Sequence, residues 1–345
     1  MKDIIDRCCS VLAAGQRCVM ATVVSTWGSA PVPVGGTMLI EEDRSFSGSV
    51  SGGCVEGEVI AEAASLLKSG GNKRLSYGVA DEQAWSVGLP CGGSIEVLLS
   101  AWVPDDIGLA RAIGQRMAER SAVGVVTDLE TGRRWLAGRD GDHTGWLQPG
   151  GGTGAVVEKR LAEGASGLEV LGDGRAQFVH VLRPTPRIVV IGGVHIAQVL
   201  ARLAPDLGFE VIIVDPREAF AAPARFPGCR VVTQWPEEAL PAIGLDADTA
   251  VVVLSHVARI DDEALLTALR SEPGYIGALG SRRSHAKRRE RLAAAGIGAQ
   301  RLDDIRAPIG LDIGAQNPAE IALAILAQVV QARRVSAGAR TCAAA

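Results

Sequence analysis

The chain has 345 residues, 47% apolar and 21% charged, the make-up of an ordinary soluble globular protein of about two domains. Its 35 basic and 39 acidic residues give a formal net charge of −4, which argues against a general nucleic-acid or membrane-surface binder, since these carry a basic excess. Seven cysteines, odd in number and with no C-x-x-C pair, argue against a disulfide framework or a zinc ribbon and fit a reducing cytoplasm.

The opening M-K-D-I-I-D-R places acids where a signal peptide needs an apolar core, and no uncharged apolar run approaches the length of a membrane span. Residues 3–14 read as an amphipathic helix and 18–24 as a strand rich in β-branched side chains. Two prolines and three glycines make 27–36 a loop, after which 37–41 resumes a strand. The stretch 48–57, G-S-V-S-G-G-C-V-E-G, then delivers Cys54 to a helix expected over 55–67, with Glu56, Glu58 and Glu62 on its polar side. A second glycine-framed thiol, Cys91, sits in G-L-P-C-G-G-S just before a strand at 94–100. Glycine permits φ > 0 and close approach of a ligand to the main chain, so the two thiols read either as parts of one binding site or as small fillers at tight turns. Residues 105–119 look helical, and 122–183 look like short strands separated by glycine loops.

R-P-T-P-R at 183–187 marks a domain boundary, giving an N-terminal domain over 1–183, a C-terminal domain over 187–334 and a disordered tail over 335–345. The C-terminal domain opens with R-I-V-V-I, runs into G-G-V-H-I-A and a helix, and continues into E-V-I-I-V-D, ending on Asp215. Strand, glycine turn, helix and a second strand with a terminal acid form a Rossmann-like unit. Asp215 follows Gly192 by 23 positions, as a ribose-binding acid does, but the second glycine of G-x-G-x-x-G is replaced by Val194, which would crowd a pyrophosphate. Strands at 249–254 and 275–278 extend this doubly wound parallel sheet, and the loops that follow them line its ligand edge. His195 and His256 are candidates there; His256 reads either as a proton-transfer group or as a cap for the next helix. Ser281, Arg282 and Arg283 open a basic helix suited to a phosphate, whereas 287–291 reads as a solvated basic face. Asp312 lies between glycines in A-P-I-G-L-D-I-G-A, and N-P-A-E after it is a helix cap at Asn317 with Glu320 closing the box.

In this order, G-S-A-P at 28–31, G-S-V-S-G-G-C-V-E-G, G-L-P-C-G-G-S-I-E-V, G-G-V-H-I-A-Q, V-D-P-R, Y-I-G-A-L-G-S-R-R and A-P-I-G-L-D-I-G-A resemble the XdhC/CoxI family of xanthine dehydrogenase accessory proteins. The resemblance implies an α/β protein with an N-terminal α+β domain ahead of the Rossmann-like one. It implies a non-catalytic chaperone that binds the molybdenum cofactor, as molybdopterin or its cytosine dinucleotide form, and supports its sulfuration with a cysteine desulfurase. The cofactor then passes from molybdopterin-handling enzymes to the large subunit of a molybdoenzyme. Cys54 and Cys91 would contact the metal or its sulfur, and Gly52, Gly53, Gly92 and Gly93 would lend backbone; Gly192, His195, Asp215, His256, Ser281, Arg282, Arg283 and Asp312 are further cofactor-binding candidates. A homodimer is expected on the same ground. Val32 departs from the arginine that many relatives carry after G-S-x-P, so the missing charge is expected at Arg282 or Arg283. Two other functions compete: an NAD(P)-dependent oxidoreductase working through His256 or His195, and a sulfurtransferase carrying a persulfide on Cys54.

Overall fold

The computed structural model describes residues 1–78, 93–138, 143–145 and 153–343, and it divides into two compact units, the first built on Met1–Pro184 and the second spanning Thr185–Ala339, which leaves the last residues of the chain outside the second. The first unit begins with α1 (Lys2–Ala13), whose inward stripe Ile5, Cys8, Val11 and Leu12 has helical spacing. β1 (Cys18–Trp27) outruns the expected strand by three residues, through an irregularity between Val23 and Ser25. Next come β2 (Thr37–Glu41), β3 (Phe46–Gly48), α2 (Glu56–Ser69), β4 (Asn72–Tyr77) and β5 (Ser94–Trp102). These strands form an antiparallel sheet in the order β3-β2-β1-β5-β4. Val19, Ala21 and Val23 face Val59, Ala63 and Leu66 of α2, while Cys18 and Met20 point the other way, among Ile5, Leu12 and Ile113. Covered on both faces, β1 is apolar almost throughout rather than alternating.

After α3 (Ile107–Ala118), a second antiparallel sheet is built from β6 (Val123–Asp128), β7 (Arg134–Ala137), β8 (His143–Gly145), β9 (Gly167–Val170) and β10 (Ala176–Leu182). Its order is β8-β7-β6-β10-β9. α4 (Thr153–Glu163) interrupts the expected run of strands and packs Val157 and Leu161 on this sheet. The sequence conceals α4 because β-branched Thr153, Val156 and Val157 and the helix-weakening Gly154 fill its first half.

The second unit is built from β11 (Arg187–Ile191), α5 (His195–Leu203), β12 (Glu210–Val214), β13 (Arg230–Val232), α6 (Pro236–Ile243), β14 (Thr249–Val253), α7 (Ala258–Arg270), β15 (Tyr275–Ala278), α8 (Arg282–Ala294), α9 (Ala299–Leu302), β16 (Ile305–Arg306) and α10 (Pro318–Ala343). Its six parallel strands lie in the order β13-β12-β11-β14-β15-β16, the doubly wound Rossmann arrangement expected from the sequence. Successive β11 residues serve opposite cores: Ile188 and Val190 pack with α5 and α10, Val189 and Ile191 with α6 and α7. Asn317 caps α10 by accepting from the amides of Ala319 and Glu320, each at 3.0 Å. The helix runs to Ala343, through the segment expected to be a tail, where alanines supply high helix propensity.

Candidate functional site

Three motif segments of the first unit meet at one end of its first sheet. Trp27, at the end of β1, pairs with Ser94 at the start of β5. There a Cβ on Gly93 would lie 2.5 Å from the Ser29 carbonyl oxygen and 2.7 Å from that of Trp27, so only glycine fits beside G-S-A-P. A Cβ on Gly52 would touch Pro31 at 3.7 Å, which brings the Cys54 loop to the same place. Ala30, Val32 and Cys54 lie against one apolar cluster beneath. The G-S-A-P side is tied down by His180 of β10, whose Nε2 is 3.0 Å from the Gly35 carbonyl oxygen. Burial pulls that imidazole down to about 4, so it is neutral at pH 7.

Glu56 organises the Cys54 loop. Its Oε1 accepts from Ser49 Oγ (2.6 Å) and from the amides of Val50 (3.2 Å) and Ser51 (2.9 Å). Its Oε2 accepts from Ser51 Oγ and from the Gly53 amide at 2.9 Å. Burial alone would raise the carboxyl, but the hydrogen bonds from Ser49 and Ser51 outweigh it and hold the pKa at about 2. Glu56 is therefore a buried hub, not part of a polar helix face, because the loop needs an anion to gather its orphan donors. The expected backbone donors are redirected with it: the Gly53 amide serves Glu56 and the Gly52 amide serves Ser49 Oγ at 2.9 Å. Gly52 and Gly53 adopt φ of 74° and 110°, and nothing lies within 4 Å of a Cβ placed on Gly53, which leaves the loop's outer side open. Cys54, the next residue, is a free thiol, half-buried against the apolar cluster. Cys91 and Gly92 lie outside the described residues.

In the second unit the sheet order switches between β11 and β14, which opens a crevice at their C-terminal ends. Gly192 occupies it at φ 105°, where a Cβ would fall 2.6 Å from Ser255 Cα. Asp215, fully buried, accepts from the Gly193 amide (2.8 Å) and from the Arg217 amide (3.0 Å), Nε (2.8 Å) and Nη2 (2.7 Å). Burial would raise its pKa, but Arg217 and the Gly193 amide keep it lowered. Arg225 Nη1 donates to the carbonyls of Gly193 (2.6 Å) and Phe220 (2.7 Å), and a Cβ on Gly193 would lie 2.2 Å from the Phe220 oxygen. The chain after Asp215 thus folds back over the glycine turn, and the carboxylate expected to face a ribose is engaged by the Gly193 and Arg217 amides and by the Arg217 guanidinium. His195 is exposed on the first turn of α5. His256 is exposed at φ 60° and does not cap α7; Ser255 Oγ meets the Val257 amide there at 3.1 Å. Ser281 caps α8 by accepting from the Ser284 amide at 3.1 Å, Arg282 and Arg283 are exposed beside it, and Asp312 is exposed in its loop.

Residues 11–78 match the model of the XdhC and CoxI family, and residues 188–329 match that of the XdhC Rossmann domain. The chain belongs to the XdhC and CoxI family. Relatives include the molybdenum cofactor insertion chaperone PaoD of Escherichia coli, 29% identical over 93% of this chain and 85% of that protein. A Bacillus subtilis protein described as a probable xanthine dehydrogenase subunit is 26% identical over 94% of this chain and 96% of its own. A crystal structure described as a xanthine dehydrogenase from Bacillus halodurans superposes with a TM-score of 0.78 at 26% identity, covering 97% of this chain and 96% of that one.

Within this XdhC-family chain, Gly52, Gly53, Cys54 and Gly93 are gathered at one end of the first sheet, and Gly192 and Asp215 at the Rossmann crevice. Among the described residues no group of three or more His, Cys, Asp or Glu is placed to hold a metal ion. Sequence reasoning missed Glu56, Arg225 and Arg288. Arg288, read as solvated, is buried and donates to the Leu279 carbonyl at 3.0 Å. One signal was available for Glu56: serines and glycines with orphan amides sit within seven residues of it.

Proposed function

We propose that this protein is a carrier of the molybdenum cofactor that shields it, supports its sulfuration by a cysteine desulfurase and hands it to a xanthine-dehydrogenase-type molybdoenzyme. The convergence of G-S-A-P, the Cys54 loop and Gly93 on one end of the first sheet carries this reading. The cofactor is cargo here rather than a resident catalyst, and no catalytic residue is assigned. A pterin dithiolene needs an opening with room against the backbone and a soft donor, and the open side of Gly53 beside the Cys54 thiol offers both. Glu56 acts indirectly: it fixes the loop that carries Cys54. The Gly52 and Gly53 amides are engaged within the loop, so it offers the cargo its thiol and its open side rather than these donors; Ser281, Arg282 and Arg283 are, separately, phosphate candidates of the Rossmann unit. Cys91 with Gly92 completes the proposed thiol pair on the strength of the family resemblance. The names of PaoD and of the Bacillus subtilis relative support the same role. Cytoplasmic residence and a homodimer belong to this proposal too.

The test is the molybdenum and pterin content of the protein purified without oxygen from a host that makes the cofactor. Cys54→Ala and Cys91→Ala are expected to fold normally and to lose most of the bound pterin. Equal pterin in wild type and both variants would remove the thiols from the site, and absence of pterin from every sample would overturn the carrier reading.

A further inference from the structure

Among the described residues, three buried side-chain nitrogens of α8 have no hydrogen-bond partner. Arg288 stands two turns into the helix, is 5% exposed, and directs its side chain back toward the helix start, as helical geometry dictates. Its Nη2 reaches the Leu279 carbonyl at 3.0 Å and Asp261 Oδ2 at 3.4 Å. Its Nε and Nη1 are buried without an acceptor among the described residues, and so is His285 Nδ1, one turn earlier on the same face. A buried guanidinium with most of its N–H groups unmet is costly, and Asp261 is a weak counterion, since it is reached by the long contact and already accepts from Ser255 Oγ at 2.6 Å. Burial of Asp261 pushes its pKa up, which weakens the pairing further, while burial, Arg288 and Arg289 together push His285 down. The local field is therefore positive and under-compensated.

The backbone above these nitrogens is shaped to match. Gly280 has φ 137°, and a Cβ there would lie 2.7 Å from Ser284 Oγ and 3.8 Å from Arg288 Nη2, so glycine lets the chain descend onto the guanidinium. Ser281 satisfies only the Ser284 amide of the first turn, and the positive end of a 13-residue helix opens toward the sheet's ligand edge. Arg282 and Arg283 flank it with no ion pair among the described residues, whereas Arg289 and Arg291 are paired with Asp303 and Asp262.

We propose that residues 280–285 together with His285 Nδ1 and the Arg288 fork form a binding site for a phosphate group, brought either by a nucleotide or as free diphosphate. Arg288 and His285 contact the oxyanion, Asp261 and Ser255 position Arg288, and Arg282 and Arg283 supply the surrounding charge. The site does not depend on what the N-terminal loops carry.

Calorimetric titration of the full chain with inorganic diphosphate and with a nucleoside diphosphate, at constant ionic strength, tests this. Both ligands are expected to bind wild type, and His285→Ala and Arg288→Lys are each expected to weaken binding by about tenfold or more. A nucleoside diphosphate that binds tighter than diphosphate identifies a nucleotide as the carrier; equal affinities assign the site to the phosphate group alone. Because Arg288→Lys disturbs the buried contact with Asp261, histidine ring NMR of wild type gives an independent reading, in which diphosphate shifts the His285 signals. No binding to wild type, or wild-type affinity in His285→Ala, would overturn the proposal.

Discussion

At the level of single residues, Glu56 and His180 do for the loop ends what a disulfide or metal does in smaller proteins: each fixes a glycine-rich segment through one polar group. For Glu56 the effect is measurable as a pH dependence. Its folded pKa of about 2 lies below the ordinary value of 4.5, so its stabilisation is fully present above pH 4.5 and is lost as pH falls toward 2. Glu56→Gln is expected to cost about 2–3 kcal/mol in urea unfolding at pH 7 and to remove that component of the acid transition. An acid limb as steep in the variant as in wild type would show that another carboxylate carries it. Cys54 stands out in the sequence because glycines frame it; the carboxylate that shapes its loop was hidden behind a helix-like spacing of glutamates.

Among the elements, β11, its glycine turn and α5 were readable because strand, turn and acid recur at fixed intervals, and the structure keeps that skeleton while using it differently. Gly192 is required by the approach of Ser255, Gly193 by that of Phe220, and Asp215 clamps the turn rather than facing outward. Gly193→Ala is expected to lower stability by about 1–3 kcal/mol, since its Cβ would meet a backbone oxygen that cannot rotate away; thermal unfolding checks this. Unchanged stability would mean that the segment carrying Phe220 is loosely held. α8 marks where pattern reading stops. Its run R-R-S-H-A-K-R-R-E-R contains no apolar residue large enough to mark the inner face, so nothing distinguished Arg288 from its exposed neighbours.

For the whole molecule, each unit has apolar clusters drawn from its own residues: those around α1 to α4 belong to the first unit, those flanking the parallel sheet to the second. The segment beginning at Thr185, produced alone, is therefore expected to unfold cooperatively with the circular dichroism of an α/β protein. A molten, non-cooperative transition would show that it relies on the first unit. The break was visible in the sequence as proline punctuation, whereas the paired antiparallel sheets of the first unit were not, because their partners are distant in sequence and alternate only weakly in polarity.

Sheet margins have a consequence for life in a crowded cell. Among the described residues, the three sheets end on β3, β4, β8, β9, β13 and β16; all but β4 have four residues or fewer, and β4 carries Lys73 and Arg74. Short or charged margins offer little template for another chain to add a strand, so aggregation by backbone pairing is suppressed even while apolar Trp27 stands 71% exposed at the end of β1. Contacts with other proteins are thereby left to side chains, which can be made and released without rebuilding a sheet.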